Sequence, residues 1–278
     1  MRIIYITKAR LPTEKAYGTN MVKTCEALAG AGATVEMLIP TCGNRAAPKD
    51  IFSYYGVKRI FQVWHLPTLD VISMGWSRGF WVNHVSFLLS VLLRNIGDKK
   101  ECVILARDEL AAFFLKLKGY RVFYDMHGFP EKKRWFWKII MRRMDGIIAT
   151  NKWKVERCAL FFKIPRERIL VAPNGFDALA FEVQRNKKEL REELGLPVSA
   201  RVVLYTGHLY DWKGAGVLLE AARSAKSKIP NAKFVFVGGT EKDVANFKEK
   251  ARGVDNVLIL GYKPYNEIPK YLKAADVL

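Results

Sequence analysis

The stretch RVVLYTGHLYDWKGAGVLLEA, residues 201–221, joins a β-rich apolar run to a helical pattern through a loop that contains glycine and lysine. The run is continuously apolar after Arg201, which is typical of a strand in a parallel sheet that is covered on both faces. In open α/β sheets, ligands bind where the carboxyl ends of strands lead into helix N-termini. The stretch therefore predicts a parallel α/β fold with a ligand site between this strand and this helix.

Similar apolar runs recur along the chain. They occupy residues 2–7, 34–40, 102–107, 121–128, 146–150 and 168–175, and then 201–207, 233–239 and 256–262. Helical patterns separate them, and this alternation is typical of βαβ units and doubly wound sheets. The charged segment 182–197 is either a connector or the opening helix of a second domain. We predict an α/β protein with two tandem Rossmann-like, doubly wound parallel-sheet domains, residues 1–177 and 178–278.

The end of the chain bears on the second domain. Residues Asp276–Leu278 have the character of a fourth strand that stops after its first residues. A doubly wound domain normally has more strands than this one offers, so the second domain is expected to be incomplete. At the other end, Met1 and Arg2 lead directly into the first apolar run, and no signal peptide is predicted.

Charge is the strongest feature of the composition. The 278 residues include 46 Lys and Arg against 27 Asp and Glu, a formal net charge of +19, and residues 1–177 hold 29 of the basic and 15 of the acidic groups. This excess indicates an anionic partner for the first domain, either nucleic acid or acidic lipid, unless the charge serves solubility alone. The cysteines, which lack C-x-x-C spacing and fit a reducing cytosol, are Cys25, Cys42, Cys102 and Cys158.

The loop of the opening stretch has the chemistry of a phosphate site. Gly207 ends the strand, and Gly214 and Gly216 allow close backbone approach beside Lys213. Free N–H groups and the helix dipole attract phosphate, and lysine adds a compact positive charge. The alternative is a tight turn with a solvated lysine. Neither a G-x-G-x-x-G nor a P-loop motif occurs, which argues against dinucleotide oxidoreductases and P-loop NTPases. The histidines have no metal spacing, so no metal site is predicted.

Five segments together resemble retaining glycosyltransferases of family 4, which have the GT-B fold of two facing Rossmann-like domains. VLYTGHLYDWKGAGVLLEAA (203–222) resembles the strand–G-x-L–loop–K-G–helix signature, and RILVAPNGFD (168–177) the P-N-G-x-D element. YDMHGFP (124–130) resembles the strand end that supplies a histidine to the donor sugar. Residues 6–40 resemble the first β-loop-α-β unit, and 268–278 the segment before the last conserved block.

The resemblance implies a function. It implies transfer of a sugar from a nucleotide-diphosphate donor, with retention of configuration and without a bound metal or cofactor. The acceptor is expected to be a glycan or a lipid-linked precursor of the cell envelope, and the enzyme to be cytoplasmic or peripheral on the inner face of the membrane. Many relatives also carry an acidic pair spaced E-x7-E, which would lie beyond Leu278, so this chain alone is expected to be inactive or impaired.

The resemblance also implies site residues. It places Lys213 on the donor diphosphate and His127 beside the transferred sugar as the catalytic position. The other implied donor-site and cleft residues are Gly207, His208, Gly214 and Gly18, and Asp125, Asn174 and Asp177. Two departures stand out, because His208 replaces an arginine found in many members and Tyr17 replaces a glycine before Gly18. Asn174 could instead belong to a simple turn, and His127 could be an ordinary loop histidine.

Two segments raise the question of a membrane. In 131–146, a basic stripe of Arg134, Lys138 and Arg142 borders aromatic residues that include Trp135 and Trp137, which suits a helix lying on an anionic bilayer. Segment 80–95 is nearly all apolar with a narrow polar line, and at about 15 residues it is short for a bilayer span of roughly 20. We expect either membrane contact that brings a lipid-linked acceptor to the cleft or ordinary domain packing.

Three other functions remain open from the sequence. A sugar-nucleotide epimerase shares the two-domain architecture. The basic charge is compatible with a non-catalytic nucleic-acid-binding protein, although no recognisable binding module occurs. A third alternative is a non-catalytic relic with a degraded donor site, which His208 and the missing acidic pair would explain.

Overall fold

The computed structural model describes residues 1–13, 15–41, 50–71, 79–132 and 134–278, and Cys42 lies outside these ranges. The described residues form two compact units, Met1–Gly175 and Phe176–Leu278. Each unit contains one sheet, and every strand pair in both sheets is parallel. The parallel α/β architecture predicted from the continuous apolar runs is therefore confirmed.

The first sheet has seven strands in the order β3-β2-β1-β4-β5-β6-β7. They are β1 Arg2–Ile6, β2 Thr34–Pro40, β3 Gln62–Leu66, β4 Cys102–Ala106, β5 Arg121–Met126, β6 Gly146–Ala149 and β7 Ile169–Val171. Strand β3 was not predicted, because it lies at the edge of the sheet and three of its five residues are exposed, so it has no apolar run. The strand order reverses between β1 and β4, and ligands of such sheets bind at that reversal.

Helices cover both faces of this sheet. They are α1 Ala16–Gly30, α2 Ile51–Tyr55, α3 Gly79–Leu93, α4 Glu109–Leu117, α5 Arg134–Arg143 and α6 Lys152–Arg157. Strand β1 shows why its run must be apolar throughout, since Ile4 and Ile6 enter one core and Ile3 and Tyr5 enter the other. Helices α1 and α2 pack on the Tyr5 side, and α3 to α6 pack on the Ile4 side.

The second sheet has the order β10-β9-β8, with β8 Arg201–Thr206, β9 Ala232–Val237 and β10 Val257–Gly261. Its helices are α7 Ala178–Phe181, α8 Lys187–Glu193, α9 Ala215–Lys228, α10 Glu241–Lys250 and α11 Ile268–Ala274. Val277 makes one isolated parallel bridge to Val203. Helix α8 belongs to this unit, because Leu190 is buried in its core, and Gly195 follows the helix in the left-handed region at φ 65°. Segment 182–197 therefore contains a helix of the second unit, which is preceded there by the short helix α7.

A buried arginine ties the end of the second unit together. Arg191 is 4% exposed and donates to the carbonyl oxygens of Val198, Ala200 and Ala274. Its Nη2 donates to Asp276 Oδ2 at 2.6 Å. Burial alone would raise the pKa of Asp276, but hydrogen bonds from Lys187, the Val202 N–H and Arg191 hold it well below the usual range. This cation thus has a full set of acceptors.

Two further predictions can be compared with the described residues. Cys25, Cys102 and Cys158 are buried, free thiols, so no disulfide forms among them. Within the described ranges, no helix combines the length and the apolar character that crossing a bilayer requires.

Candidate functional sites

Side chains from three strands of the first unit meet at the carboxyl edge of its sheet. Asp125, next to last in β5, accepts hydrogen bonds from Arg107 Nε at 2.7 Å and from the Tyr5 hydroxyl at 3.1 Å. The side chains of Arg107 and Asp125 are each 8% exposed. Burial alone would raise the pKa of Asp125, but the hydrogen bond with His127 and the charge of Arg107 hold it below its usual value. Asp125 is therefore a charged, buried carboxylate.

His127 lies directly after β5, beside this ion pair. Its Nε2 contacts Arg107 Nη2 and lies 3.3 Å from Asp125 Oδ1. Its main-chain oxygen accepts a hydrogen bond from Lys154 Nζ, which also donates to Thr150 Oγ1. The imidazole keeps 27% of its exposure, so it is fixed in orientation and still reachable from solvent. An imidazole held in this way can form a hydrogen bond with a bound hydroxyl group.

The cluster extends to Asn174 through an asparagine. Arg107 Nη2 contacts Asn20 Oδ1, and Asn20 Nδ2 donates to Asn174 Oδ1 at 3.2 Å. The structure therefore brings the predicted residues His127, Asp125 and Asn174 together. Arg107 and Asn20, which connect them, were missed from the sequence. The available signal for Arg107 was a lone charged residue at the carboxyl end of an apolar strand.

Gly18 has a structural explanation that the sequence did not suggest. It lies in the first turn of α1, not in the preceding loop where the sequence placed it. A Cβ added there would come within 2.4 Å of Tyr55 Oη and 2.8 Å of Thr13 Cγ2. Tyr55 Oη accepts from the Thr13 N–H at 2.7 Å and donates to the Thr13 oxygen at 2.9 Å. The close contact of Gly18 with Tyr55 and Thr13 therefore requires glycine. The role of Gly18 in donor binding stays a prediction.

The second unit has a candidate site of its own, formed by its backbone. Gly207 follows β8 at φ 141°, and its N–H donates to Val237 O at 2.9 Å. Gly238 follows β9 at φ 118°, and a Cβ added there would lie 2.4 Å from Gly207 O. The ends of the two strands approach each other at backbone distance, which only glycine permits. At this point the backbones of the two strand ends are in direct contact.

Lys213 stands at the start of the helix that follows. It is exposed, its Nζ lies 5.3 Å from the ring centre of Trp212, and among the described residues no carboxylate pairs with it. Gly214, the residue before helix α9, adopts φ 83°, and the helix has no side-chain cap and no acidic residue in its first turn. Unsatisfied N–H groups beside a free lysine suit a phosphate group.

The neighbouring helix α10 provides a contrast. Thr240 and Asp243 form a capping box that satisfies its first N–H groups, and Glu241 adds an acidic residue in the first turn. A phosphate at this end would replace an existing cap and meet negative charge. Of these two helix N-termini in the second unit, only that of α9 is open to an anion.

His208 is held by aromatic stacking. Its ring stacks on Tyr210 with centroids 4.9 Å apart and an interplanar angle of 3°. Its Nδ1 lies 3.9 Å from Asp243 Oδ2. Tyr210 in turn stacks on Trp212, which is 79% exposed. The loop therefore presents an aromatic ladder of His208, Tyr210 and Trp212 beside Lys213.

Asp177, the remaining predicted cleft residue, lies in the second unit. Its Oδ1 accepts from the Ala180 N–H at 3.4 Å and caps the short helix α7. Its structural role is thus accounted for locally. Among the described residues, no group of three His, Cys, Asp or Glu side chains could hold a metal ion.

The predicted membrane-facing residues of α5 divide into two sets. Trp135 is 70% exposed and Arg142 is exposed, whereas Lys138 is half-buried. Trp137 packs edge-on against Tyr124 and the core, so it does not face outward as predicted. The Arg134 guanidinium lies over the Phe161 ring at 4.1 Å and pairs with Glu131 at 3.0 Å.

Helix α3 has an apolar outer face. Its polar line points inward, because Ser86 Oγ accepts from the Leu69 N–H and Ser90 Oγ donates to Pro67 O. The exposed apolar residues of this helix are Phe80, Trp81, Val82, Val85, Leu89 and Leu93. Helices α3, α4 and α5 pack on the same core, so their outward faces belong to one layer.

Comparisons with known proteins support the glycosyltransferase resemblance. Residues 186–278 match the family model of glycosyl transferases group 1. A D-inositol 3-phosphate glycosyltransferase of Segniliparus rotundus is 24% identical over 145 residues, 50% of this chain and 32% of that protein. TuaC of Bacillus subtilis, named for teichuronic acid biosynthesis, is 33% identical over 109 residues, 38% of this chain and 25% of that protein. The matched regions thus span about a third or less of these relatives.

Solved structures resemble almost the whole chain. Anabaena HepE in complex with UDP and glucose has a TM-score of 0.67 at 16% identity, covering 99% of this chain and 72% of that one. A UDP-GlcNAc 2-epimerase from Neisseria meningitidis has a TM-score of 0.62 at 15% identity, covering 99% and 76%. At these identities the likeness concerns the fold. The chain therefore has the two-domain GT-B fold of these structures, and its residues 186–278 are similar to the group 1 glycosyl transferases.

Proposed function

We propose that the protein transfers a sugar from a nucleotide-diphosphate donor to a glycan or lipid-linked acceptor of the cell envelope, with retention of anomeric configuration. The observation that carries the proposal is the open N-terminus of α9 beside unpaired Lys213, within the segment that matches the family model. HepE was crystallised with UDP and glucose, which supports a UDP-sugar as donor. The name of TuaC supports an envelope acceptor.

In this proposal, the candidate sites of the two units have different tasks. Lys213 and the N–H groups of α9 bind the diphosphate and stabilise its charge as it leaves. His127 forms a hydrogen bond with the transferred sugar, and Asp125 and Arg107 hold its imidazole in place. Fixed donors of this kind lower the barrier because they need no reorientation during the reaction.

The test is calorimetric titration with UDP, GDP and ADP. One nucleotide should bind saturably, and Lys213→Ala should weaken it about 10- to 100-fold, since one charged hydrogen-bonding group contributes about 1.5–3 kcal/mol. Lys228→Ala is the matched control, because Lys228 is exposed at the opposite end of α9. Equal weakening by both variants, or no binding by any of the three nucleotides, would contradict the donor site.

A sugar-nucleotide epimerase is the second candidate, and the Neisseria epimerase fold favours it. The two activities differ in their need for an acceptor. An epimerase converts UDP-GlcNAc without any acceptor, whereas a transferase releases UDP only as an acceptor is glycosylated. Nucleotide-insensitive, salt-sensitive retention on DNA would favour the nucleic-acid-binding alternative instead.

We also propose that the outward layer of α3, α4 and α5 rests on an anionic membrane. Three features support this: the apolar outer face of α3, the exposed Trp135 and Ile139 of α5, and the cationic flank of Arg142 and Arg143. Apolar surface with cationic edges is the composition that binds an anionic bilayer interface.

Vesicle co-sedimentation tests the membrane contact. Binding should require phosphatidylglycerol and should fall for Leu89→Gln with Leu93→Gln, and separately for Arg142→Gln with Arg143→Gln. The matched control is Lys248→Gln with Lys250→Gln on the second unit, which should leave binding unchanged. Identical sedimentation of all four proteins would exclude this surface.

A further inference from the structure

Two buried cations lie beside His127 in the first unit, but only one of them has a carboxylate partner. Arg107 pairs with Asp125 at 2.7 Å. Lys154, in α6, is 7% exposed, and its Nζ donates at 2.5 Å to two neutral oxygens, His127 O and Thr150 Oγ1. Among the described residues, no carboxylate lies within ion-pair distance of Lys154.

A buried ammonium group without a counter-charge destabilises a fold. Removing an ion from water costs several kcal/mol, and neutral acceptors offset only part of this cost. Burial lowers the pKa of Lys154, and repulsion from Arg107 lowers it further, against the attraction of Asp125. Arg191 in the second unit shows the ordinary solution, since it is buried with Asp276 and three carbonyl groups as partners.

The guanidinium of Arg107 also retains a donor. Its Nε donates to Asp125, and its Nη2 contacts Asn20 and His127. Among the described residues Nη1 has no hydrogen-bond partner. One carboxylate, two cations and an accessible imidazole thus leave the cluster with one positive charge in excess before His127 is counted.

We propose that Lys154 and Arg107 form a subsite for an oxyanion of the acceptor, a phosphate or a carboxylate group. This inference rests on the proposed function, in which Lys213 of the other unit binds the donor diphosphate. The oxyanion supplies the missing counter-charge of Lys154 and places the acceptor beside His127. An excess buried cation that is costly in the free protein becomes favourable once the anion is bound.

The experiment uses the full chain carrying Lys213→Ala, so that phosphate cannot report on the donor site. Thermal unfolding and calorimetry are followed with inorganic phosphate, with D-glucuronate, and with chloride at equal ionic strength. Phosphate or glucuronate should raise Tm saturably and chloride should not. The anion with the larger effect identifies which oxyanion the acceptor carries, and no response to either overturns the subsite.

Lys154→Met is then compared with Lys152→Met, an exposed lysine on the same helix. We expect Lys154→Met to raise Tm, because an unpaired buried charge is removed, and to weaken anion binding about tenfold or more. Lys152→Met should change neither. If Lys154→Met lowers Tm and keeps the anion response, Lys154 only ties down the His127 loop and the proposal is wrong.

A conservative variant covers the case in which Lys154→Met does not fold. Lys154→Arg retains the charge, so its anion response should be at least partly preserved, and its complete loss together with native Tm would also overturn the subsite. UDP titration of Lys154→Met in a chain that retains Lys213 separates the two proposals. If Lys154→Met binds UDP as tightly as the unsubstituted chain, and the Lys213→Ala chain shows no response to either anion, only the subsite is rejected.

Discussion

The candidate sites of the two units are built from different chemical groups. In the first unit, side chains from the ends of three strands and from helices α1 and α6 meet, and the charged groups Arg107, Asp125 and Lys154 are all buried. In the second unit, the backbones of Gly207 and Gly238 lie against each other, and the exposed Lys213 stands beside an uncapped helix end. The side chains of the first unit's site are held in place without a ligand, whereas Lys213 and the N–H groups of α9 gain polar partners only from a ligand.

The difference predicts how each part responds to substitution. Buried charges contribute to folding, so changing them alters stability and binding together. An exposed side chain such as Lys213 contributes little to folding, so changing it alters binding with little effect on stability. Measurements of both quantities on the same variants can contradict this division directly.

The largest effect is expected for Arg107→Met. The substitution leaves the buried Asp125 carboxylate without its guanidinium, and loss of one partner of a buried pair costs about 3–5 kcal/mol. Urea unfolding of the full chain measures the loss in the free energy of unfolding. Arg121→Met is the control, because Arg121 is exposed at the opposite end of β5, and it should change stability by no more than about 0.5 kcal/mol. Similar losses in both variants would show that the buried Arg107–Asp125 pair contributes no more to stability than an exposed arginine.

Asp276→Asn tests whether the second unit contains charge that serves only the fold. Asp276 accepts from Arg191, Lys187 and the Val202 N–H, and replacing it should cost about 2 kcal/mol. UDP affinity should stay unchanged, because these contacts lie away from the α9 loop. A parallel loss of UDP affinity would mean that the ion pairs of Asp276 and the phosphate site are coupled.

The same variant should change the pH dependence of stability. The pKa of Asp276 is lower in the folded chain than its usual value of about 3.9, so its contribution is present above that pH and is lost as the pH falls below it. Asp276→Asn should therefore lose less stability than the parent between pH 5 and pH 3. Glu249→Gln, at an exposed surface pair, should follow the parent curve.

How far the sequence predicts each part follows from the same difference. The second unit's loop is one continuous segment, so Gly207, Lys213 and Gly214 can be recognised from local spacing. Arg107 and Lys154 lie on separate elements, and only the order of the parallel strands brings them to His127. No local pattern records that meeting. Strand β3 was missed for another physical reason, since an exposed edge strand does not need an apolar run.

The smallest effect separates two glycines of the same loop. Gly214 adopts φ 83°, so alanine there is strained whether or not a ligand is present. Gly216 lies inside α9, and a Cβ added to it meets no described atom within 4 Å. Alanine at Gly216 should therefore raise the free energy of unfolding by up to about 1 kcal/mol through helix propensity.

Nucleotide affinity then shows what Gly216 is for. If the diphosphate binds against the first turn of α9, the new methyl group obstructs only the ligand, and Gly216→Ala should bind UDP more weakly while unfolding at higher temperature. A stabilised variant with unchanged affinity would place the diphosphate away from this turn and leave Lys213 as the main contact. Opposite signs in the two measurements are the signature of a site whose small residues serve the ligand and not the fold.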